Sequence, residues 1–293
     1  MKRYTEKWFA RRTNSVRGKQ DMTEQGSENE ILPGAQLDAS KMLGHWLLAR
    51  IGKQVLRPGG LNMTYSLLDS LKINWTDDVV EFAPGLAATA KQIIAMKPSS
   101  YVGIERDKDA VRFTSHQLES ADIAKVIQGT ASDSSLESGE ASVVVGEAML
   151  SMQSQKQKQL IADEAFRILR PGGRYGIHEL SITPAKTPFE MKEEIKNALS
   201  NAINVGARPL AESDWCQLLE ASGFEIEAIE HAPMHLLQPL RLVEDEGVLG
   251  VLRIFKNLMF DRIARQRVRL MRRVFKKYEE HLSAIMIVAK KPG

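Results

Sequence analysis

Apolar residues in this chain fall into short unbroken runs, separated by stretches where they recur every third or fourth position. The runs are Val79-Val80-Glu81-Phe82, Tyr101-Val102-Gly103-Ile104, Ala124 to Ile127, Ser142-Val143-Val144-Val145 and Arg174 to Leu180. Bounded by charged or turn residues, they predict strands buried on both faces of a parallel sheet. Helical spacing fills the intervals: Ala87 to Met96, then Asp107 as a cap to Leu118, then a helix marked by Leu160, Ile161, Ala165, Ile168 and Leu169. The last of these stops at Arg170-Pro171-Gly172-Gly173. Strand and helix alternate, which predicts an α/β fold with helices on both faces of the sheet.

Two more runs, Gly223 to Ile229 and Leu282 to Ala289, predict a sixth and a seventh strand. Ahead of the first strand, Met42, Leu43, Trp46, Leu47, Ile51 and Val55 predict an amphipathic helix over 38–55, closed by Arg57-Pro58-Gly59-Gly60. Another helix runs from about Thr64 to Leu71, so residues 38–72 form an N-terminal helical cap. Two insertions follow the fifth and sixth strands. In 181–212, Thr187 as N-cap, Pro188 at the first helical position and Glu190 start a helix through Ile195 and Leu199 to Gly206. Residues 236–280 predict one or two long helices. Residues 1–30 lack periodicity and read as a disordered basic arm ahead of one domain, 31–293.

Composition narrows the class. With 43% apolar residues among 293, the chain can bury a large core. It has no apolar run long enough to span a bilayer and no apolar signal core in its first twenty positions, which predicts a cytoplasmic protein. A single cysteine, Cys216, excludes an internal disulfide, and no His/Cys cluster has metal-ligand spacing, so no metal is expected. The net charge of +3 says little. Between Arg253 and Lys277, however, many Lys and Arg face one acid, Asp261. Such a segment suits an anionic partner. It equally suits a helix that packs by Phe255, Leu258, Met259 and Phe275 and leaves its cations solvated. No aromatic series is interleaved with the Arg residues, so the structural reading is favoured over nucleic acid. The stripe would pack on the core or between subunits of a homodimer.

The chemistry concentrates where the first strand breaks at Pro84-Gly85 and a helix opens. That turn sets free N–H groups and a positive dipole end at the carboxyl edge of the sheet, where open α/β sheets bind ligands. Glu105 follows Glu81 by 24 residues, close to the roughly 20 that separate a nucleotide-binding turn from its ribose-binding acid. The Gly-x-Gly-x-x-Gly of dinucleotide folds is missing. The turn resembles instead motif I of class I S-adenosylmethionine-dependent methyltransferases, acid-x-Gly-x-Gly-x-Gly, with Ala83 and Ala87 replacing the outer glycines. The series over 78–180, above all Ala165-Phe166-Arg167-Ile168-Leu169-Arg170-Pro171-Gly172-Gly173, is similar to the same family.

That resemblance implies a Rossmann-like, seven-stranded, mostly parallel sheet with an antiparallel last strand and helical insertions. It implies S-adenosylmethionine as cofactor, held by Glu81, Phe82, Ala83, Pro84 and Gly85 at the tail, Glu105 and Arg106 at the ribose, Thr130 and Ala131 at the adenine, and Gly146 and Glu147 beside the methyl. Gly59, Gly60 and Tyr65 would approach the methionine end. His178 and Glu147 are the catalytic candidates, with His178-Glu179 at the end of strand five offering a base; packing is the competing account of His178. His231 and His235 lie beyond strand six and read as surface or core residues. The fourth strand does not end in Asn-Pro-Pro-Tyr, so a small-molecule methyl acceptor is expected, under a lid formed by 181–212 whose Asn201, Asn204 and Arg208 suit polar substituents. The alternatives are a non-enzymatic protein of this fold that binds nucleic acid or an anionic surface, and a nicotinamide oxidoreductase.

Overall fold

The computed structural model describes residues 32–234, 237 and 239–293. The arm expected over 1–30 and His235 lie outside the described residues. Five parallel strands, β1 (Asp78–Phe82), β2 (Ser100–Glu105), β3 (Ala124–Gln128), β4 (Ala141–Glu147) and β5 (Leu169–Ile182), open the sheet. It is completed by β7 (Glu225–Pro233) and β8 (Leu282–Lys290), in the order β3-β2-β1-β4-β5-β8-β7. β8 lies antiparallel to both neighbours. A two-residue strand absent from the sequence reading, β6 (Leu210–Ala211), pairs in parallel with Ser181-Ile182; two residues carry no alternation to detect.

Alternate residues of the strands feed two cores. Phe82, Ile104, Val144, Tyr175 and Ile287 pack on one face with Trp215; Val79, Tyr101, Val143, Val145 and Met286 pack on the other with Leu67 and Leu71. Both faces are covered, which is why the strands read as continuous apolar runs. α3 (Ala88–Ala95), α4 (Lys108–Leu118) and α5 (Gln155–Ile168) make the crossovers. Asp107 caps α4 by accepting from the Asp109 and Ala110 N–H groups, and Ser154 caps α5 from Gln157 N–H. α2 (Gly60–Leu71) packs closely on β5 because Gly176 carries no side chain: a Cβ there would stand 2.8 Å from Leu71 Cδ1.

A third core lies above the strand ends and joins the cap to both insertions through Met42, Leu47, Leu199 and Met271. The cap helix is shorter than its apolar spacing predicts: α1 spans only Gly44–Arg50. At its far end the N–H groups of Gln54 and Val55 are taken by Glu246 Oε1, each at 3.0 Å, so the chain leaves the helix to meet a carboxylate from the second insertion. Buried Lys53 pairs with Glu246 and Asp245 at 3.4 and 3.8 Å.

In the first insertion, α6 (Phe189–Ile203) starts one residue later than expected. Pro188 is its N-cap, while the Thr187 hydroxyl donates to Pro184 O at 2.7 Å. It ends at Asn204 in the left-handed region, not at Gly206, and α7 (Glu212–Ala221) follows. The second insertion holds α8 (Pro239–Phe260), broken at Gly247, and α9 (Arg262–Lys277), capped by Asp261. α9 buries Ala264, Val268 and Met271 and leaves Arg262, Arg269, Arg272, Arg273 and Lys276 exposed. The apolar stripe divides. Leu258 and Phe275 are partly buried, whereas Phe255 and Met259 are 64% and 55% exposed, because α8 turns Ile254 inward instead.

Candidate active site

At the carboxyl ends of β1, β2 and β4 lies a cleft of about 570 Å³. The turn after β1 forms its floor. Ala83, Gly85 and Ala87 all take positive φ, 55°, 53° and 59°, a conformation that costs an L-residue about 1–3 kcal/mol and that glycine adopts freely. Thus the two alanines occupy the backbone geometry that glycine would have. Thr114 Oγ1 holds the turn by donating to Gly85 O at 2.6 Å.

Of the residues expected to form the site, Glu81, Ala83, Pro84, Gly85, Glu105, Arg106, Thr130, Ala131 and Glu147 line this one cleft. Phe82, Gly146 and His178 do not. Phe82 points the other way, into the core, with its ring edge-on to Tyr175. Gly146 is buried within β4, and His178 is wholly buried behind Glu147. Nor do Gly59, Gly60 and Tyr65 line the cleft; Gly59 instead packs against Ala284. The cap contributes Leu43, His45 and Trp46, and so covers one side.

The three acids differ in state. Burial pushes the Glu81 carboxyl up to about 8, against the opposing effect of the Tyr101 hydroxyl, which donates to it at 2.6 Å. Burial also raises Glu105, although it accepts from the Arg106 and Asp107 N–H groups at 2.9 and 3.2 Å. For Glu147, burial would act the same way, but the Arg57 guanidinium and the His178 hydrogen bond overcome it and hold the carboxyl down at about 2. Arg57 and Thr89 both donate to Glu147 Oε2, and Thr64 Oγ1 donates to Oε1 at 2.8 Å.

His178 completes this cluster. Its Nδ1 lies 2.7 Å from Glu147 Oε1 and its Nε2 2.6 Å from Pro58 O. The carbonyl and the carboxylate both accept, so each ring nitrogen faces an acceptor within the protein. Glu179 is equally committed. It accepts from the N–H groups of Met149, Leu150 and Ser151 at 2.7–3.0 Å and caps the short turn after β4. His231, 41% exposed at its side chain, pairs with Glu212.

Sequence reasoning missed Arg57, Thr64, Thr89 and His45. Arg57 stood in view as the residue before Pro58-Gly59-Gly60, but only the fold brings it to Glu147. His45 lies between apolar neighbours of the cap helix, and its spacing matched that of a packing residue.

The lid segment also differs from expectation. Asn201, Asn204 and Arg208 are exposed and do not line the cleft, and Asn204 donates to Ser40 O at 2.8 Å. Leu199 and Ile203 point instead into a second, smaller cavity that adjoins the cleft.

Residues 80–177 match the family model of a methyltransferase domain. A Haemophilus influenzae protein that itself has no assigned function is 29% identical over 224 residues, covering 75% of this chain and 87% of that one. A phosphoethanolamine N-methyltransferase of Haemonchus contortus, solved with S-adenosyl-L-methionine, has a similar fold, with a TM-score of 0.67 at 14% identity over 92% of this chain and 61% of that one. A 4+2 cyclase has a TM-score of 0.66 at 15% identity over 84% of this chain and 92% of that one. The fold thus serves more than one reaction. The family-model match runs from within β1 to within β5, the stretch that builds the floor of the cleft. Residues 80–177 thus carry the sequence of a methyltransferase domain, on a fold shared with an S-adenosyl-L-methionine-bound methyltransferase.

Proposed function

We propose that the protein transfers a methyl group from S-adenosylmethionine to a small-molecule acceptor. The observation that carries this reading is the meeting of Glu81, the Ala83-Pro84-Gly85 turn and Glu105 in one cleft. The cleft is of the size that small-molecule and cofactor sites have, about 300–1,000 Å³. Its donor set fits the cofactor's groups. Glu105 meets the ribose hydroxyls, Thr130 and Ala131 border the adenine, and the turn gives the tail carboxylate N–H groups at a helix start. Glu81, kept neutral by burial, becomes a carboxylate when the tail ammonium replaces water beside it.

The bound cofactor supplies a methyl on a sulfonium, which an acceptor displaces in line. What the chain supplies is largely position. Glu147 is held in one orientation by Arg57, Thr64, Thr89 and His178, and so gives the cleft a fixed polar wall. In this reading His178 is a positioning residue and α6 belongs to the lid over the acceptor. Thermal stabilisation tests the proposal, because a ligand that binds only the folded state raises the melting temperature. S-adenosylmethionine and its demethylated product should do so, and NAD and NADP should not; the reverse pattern would point to an oxidoreductase.

A further inference from the structure

After the break at Gly247, residues 248–260 of α8 include no acid. The exposed apolar positions there are Val248, Leu249, Leu252, Phe255, Met259 and Phe260, and the other exposed side chains are Arg253 and Lys256. Leu249 and Phe260 are 80% and 81% exposed. At 3.6 residues per turn these positions share one side of the helix, and buried Ile254 lies on the other. Single exposed apolar residues are ordinary, whereas a contiguous patch marks an interaction surface.

The patch turns the corner into α9 through Arg262 and Ile263, both exposed. α9 then presents Arg269, Arg272, Arg273 and Lys276 to solvent. Among the described residues, the only ion pair α9 makes is that of Lys277 with Glu194. The acid at the corner, Asp261, is occupied, since it caps α9 and pairs with Arg50 at 3.5 Å. The inner side of α8 is fastened to the cap. Asn257 donates to Ile51 O at 3.0 Å, and Glu246 Oε1 takes the Gln54 and Val55 N–H groups. The exposed face is therefore ordered in the free protein, and docking does not bear the cost of ordering it.

We infer that this face docks the protein on an anionic lipid surface, with α8 lying flat and its apolar side chains inserted among the headgroups. Helices that lie in a membrane interface have this make-up, Phe and Leu beside Lys and Arg. Residues 248–260 rise about 20 Å, too little to cross a hydrocarbon core of about 30 Å. Among the described residues no helix is long and apolar enough to span one. Lipid suits the face better than other partners do. In a self-complementary contact the cations of 248–277 would face their own copies, with only Asp261 to offset them. Nucleic acid would engage Arg and Lys and leave Leu249, Leu252 and Met259 in water. A lipid interface takes both kinds of side chain, and each Lys or Arg near it adds about fivefold to affinity. The α9 cations need not insert, because their attraction reaches about 8 Å at physiological salt.

The test is cosedimentation of the full chain with vesicles of phosphatidylcholine alone and of phosphatidylcholine with about one third phosphatidylglycerol. At low salt the mixed vesicles should bind at least about tenfold more tightly than the neutral ones, and about 0.5 M salt should remove most of the difference. Phe255→Ser with Phe260→Ser should weaken binding to mixed vesicles by about tenfold or more. Arg272→Gln with Arg273→Gln should weaken it by about 25-fold. All four positions are exposed, so each pair should melt with the wild type, which separates lost docking from lost folding. Should either pair melt early, the two vesicle types compared on the wild type still decide. Equal binding to both vesicle types, or binding unchanged in the folded Phe pair, would overturn the inference. So would a dimer in sedimentation velocity that the Phe pair disperses, from a protein that ignores vesicles; the face would then belong to a second copy. Binding of generic RNA tighter than micromolar with no vesicle binding would equally overturn it.

Discussion

Arg57 and Glu147 meet as a buried ion pair, their side chains 8% and 4% exposed, although 90 residues of chain separate them. Removing one partner of such a pair strands the other charge and costs about 3–5 kcal/mol. Arg57→Leu should therefore lower the denaturant midpoint sharply, while Arg57→Leu combined with Glu147→Leu should recover much of the loss. Equal stability of the single variant and wild type would show that the pair is dispensable to the fold.

His178 has an acceptor at each ring nitrogen. His178→Asn, which keeps a donor, should therefore lower the denaturant midpoint less than His178→Ala does. Equal midpoints for the two variants would show that these bonds do not matter to the fold.

Glu81 links stability to pH. Its folded value of about 8 lies above the ordinary 4.5, so its contribution is complete below pH 4.5, falls as pH rises, and is gone above 8. In the unliganded protein Glu81→Gln should remove this decline and raise the melting temperature relative to wild type most at alkaline pH. Parallel wild-type and variant curves would contradict the raised value.

The same acid should report cofactor binding. If the tail ammonium ionises Glu81, binding near neutral pH must release a proton. Calorimetric titration in two buffers of different ionisation enthalpy should then give different apparent enthalpies, and Glu81→Gln should abolish the difference. Glu105→Ala serves as the comparison: it should weaken binding by about 1–3 kcal/mol and keep the proton release.

α9 presents its cations to solvent and buries Ala264, Val268 and Met271 against α6. It should behave as a packed helix. Polarisation assays with generic DNA and RNA at low salt should show no binding tighter than micromolar; tight binding with a steep salt dependence would give α9 a nucleic-acid role.

The strand–helix series and the turn were legible in the sequence because they depend on local pattern. Val79, Val80 and Phe82 had to be buried, and Ala83, Gly85 and Ala87 are small where the backbone takes positive φ. Glu81, Glu105 and Glu147 stood out as acids at the ends of apolar runs. What was not legible came from distance. Arg57 and Thr89 reach Glu147 only through tertiary packing, and Glu246 ends the cap helix from the other insertion. His178 was rightly located at the end of β5, but no pattern along the chain records that Pro58 and Glu147 occupy both of its nitrogens.

The position of β8 has a consequence for biosynthesis. It is made after β7 and after the whole insertion that carries α8 and α9, yet it takes its place between β5 and β7. Until it arrives, β5 has an unpaired edge along Arg174 to Ile182, and β7 has no neighbour at all. Open edges of apolar strands recruit other chains. A chain that stalls within α9 would leave the sheet ending at β5, with β7 cut off from it.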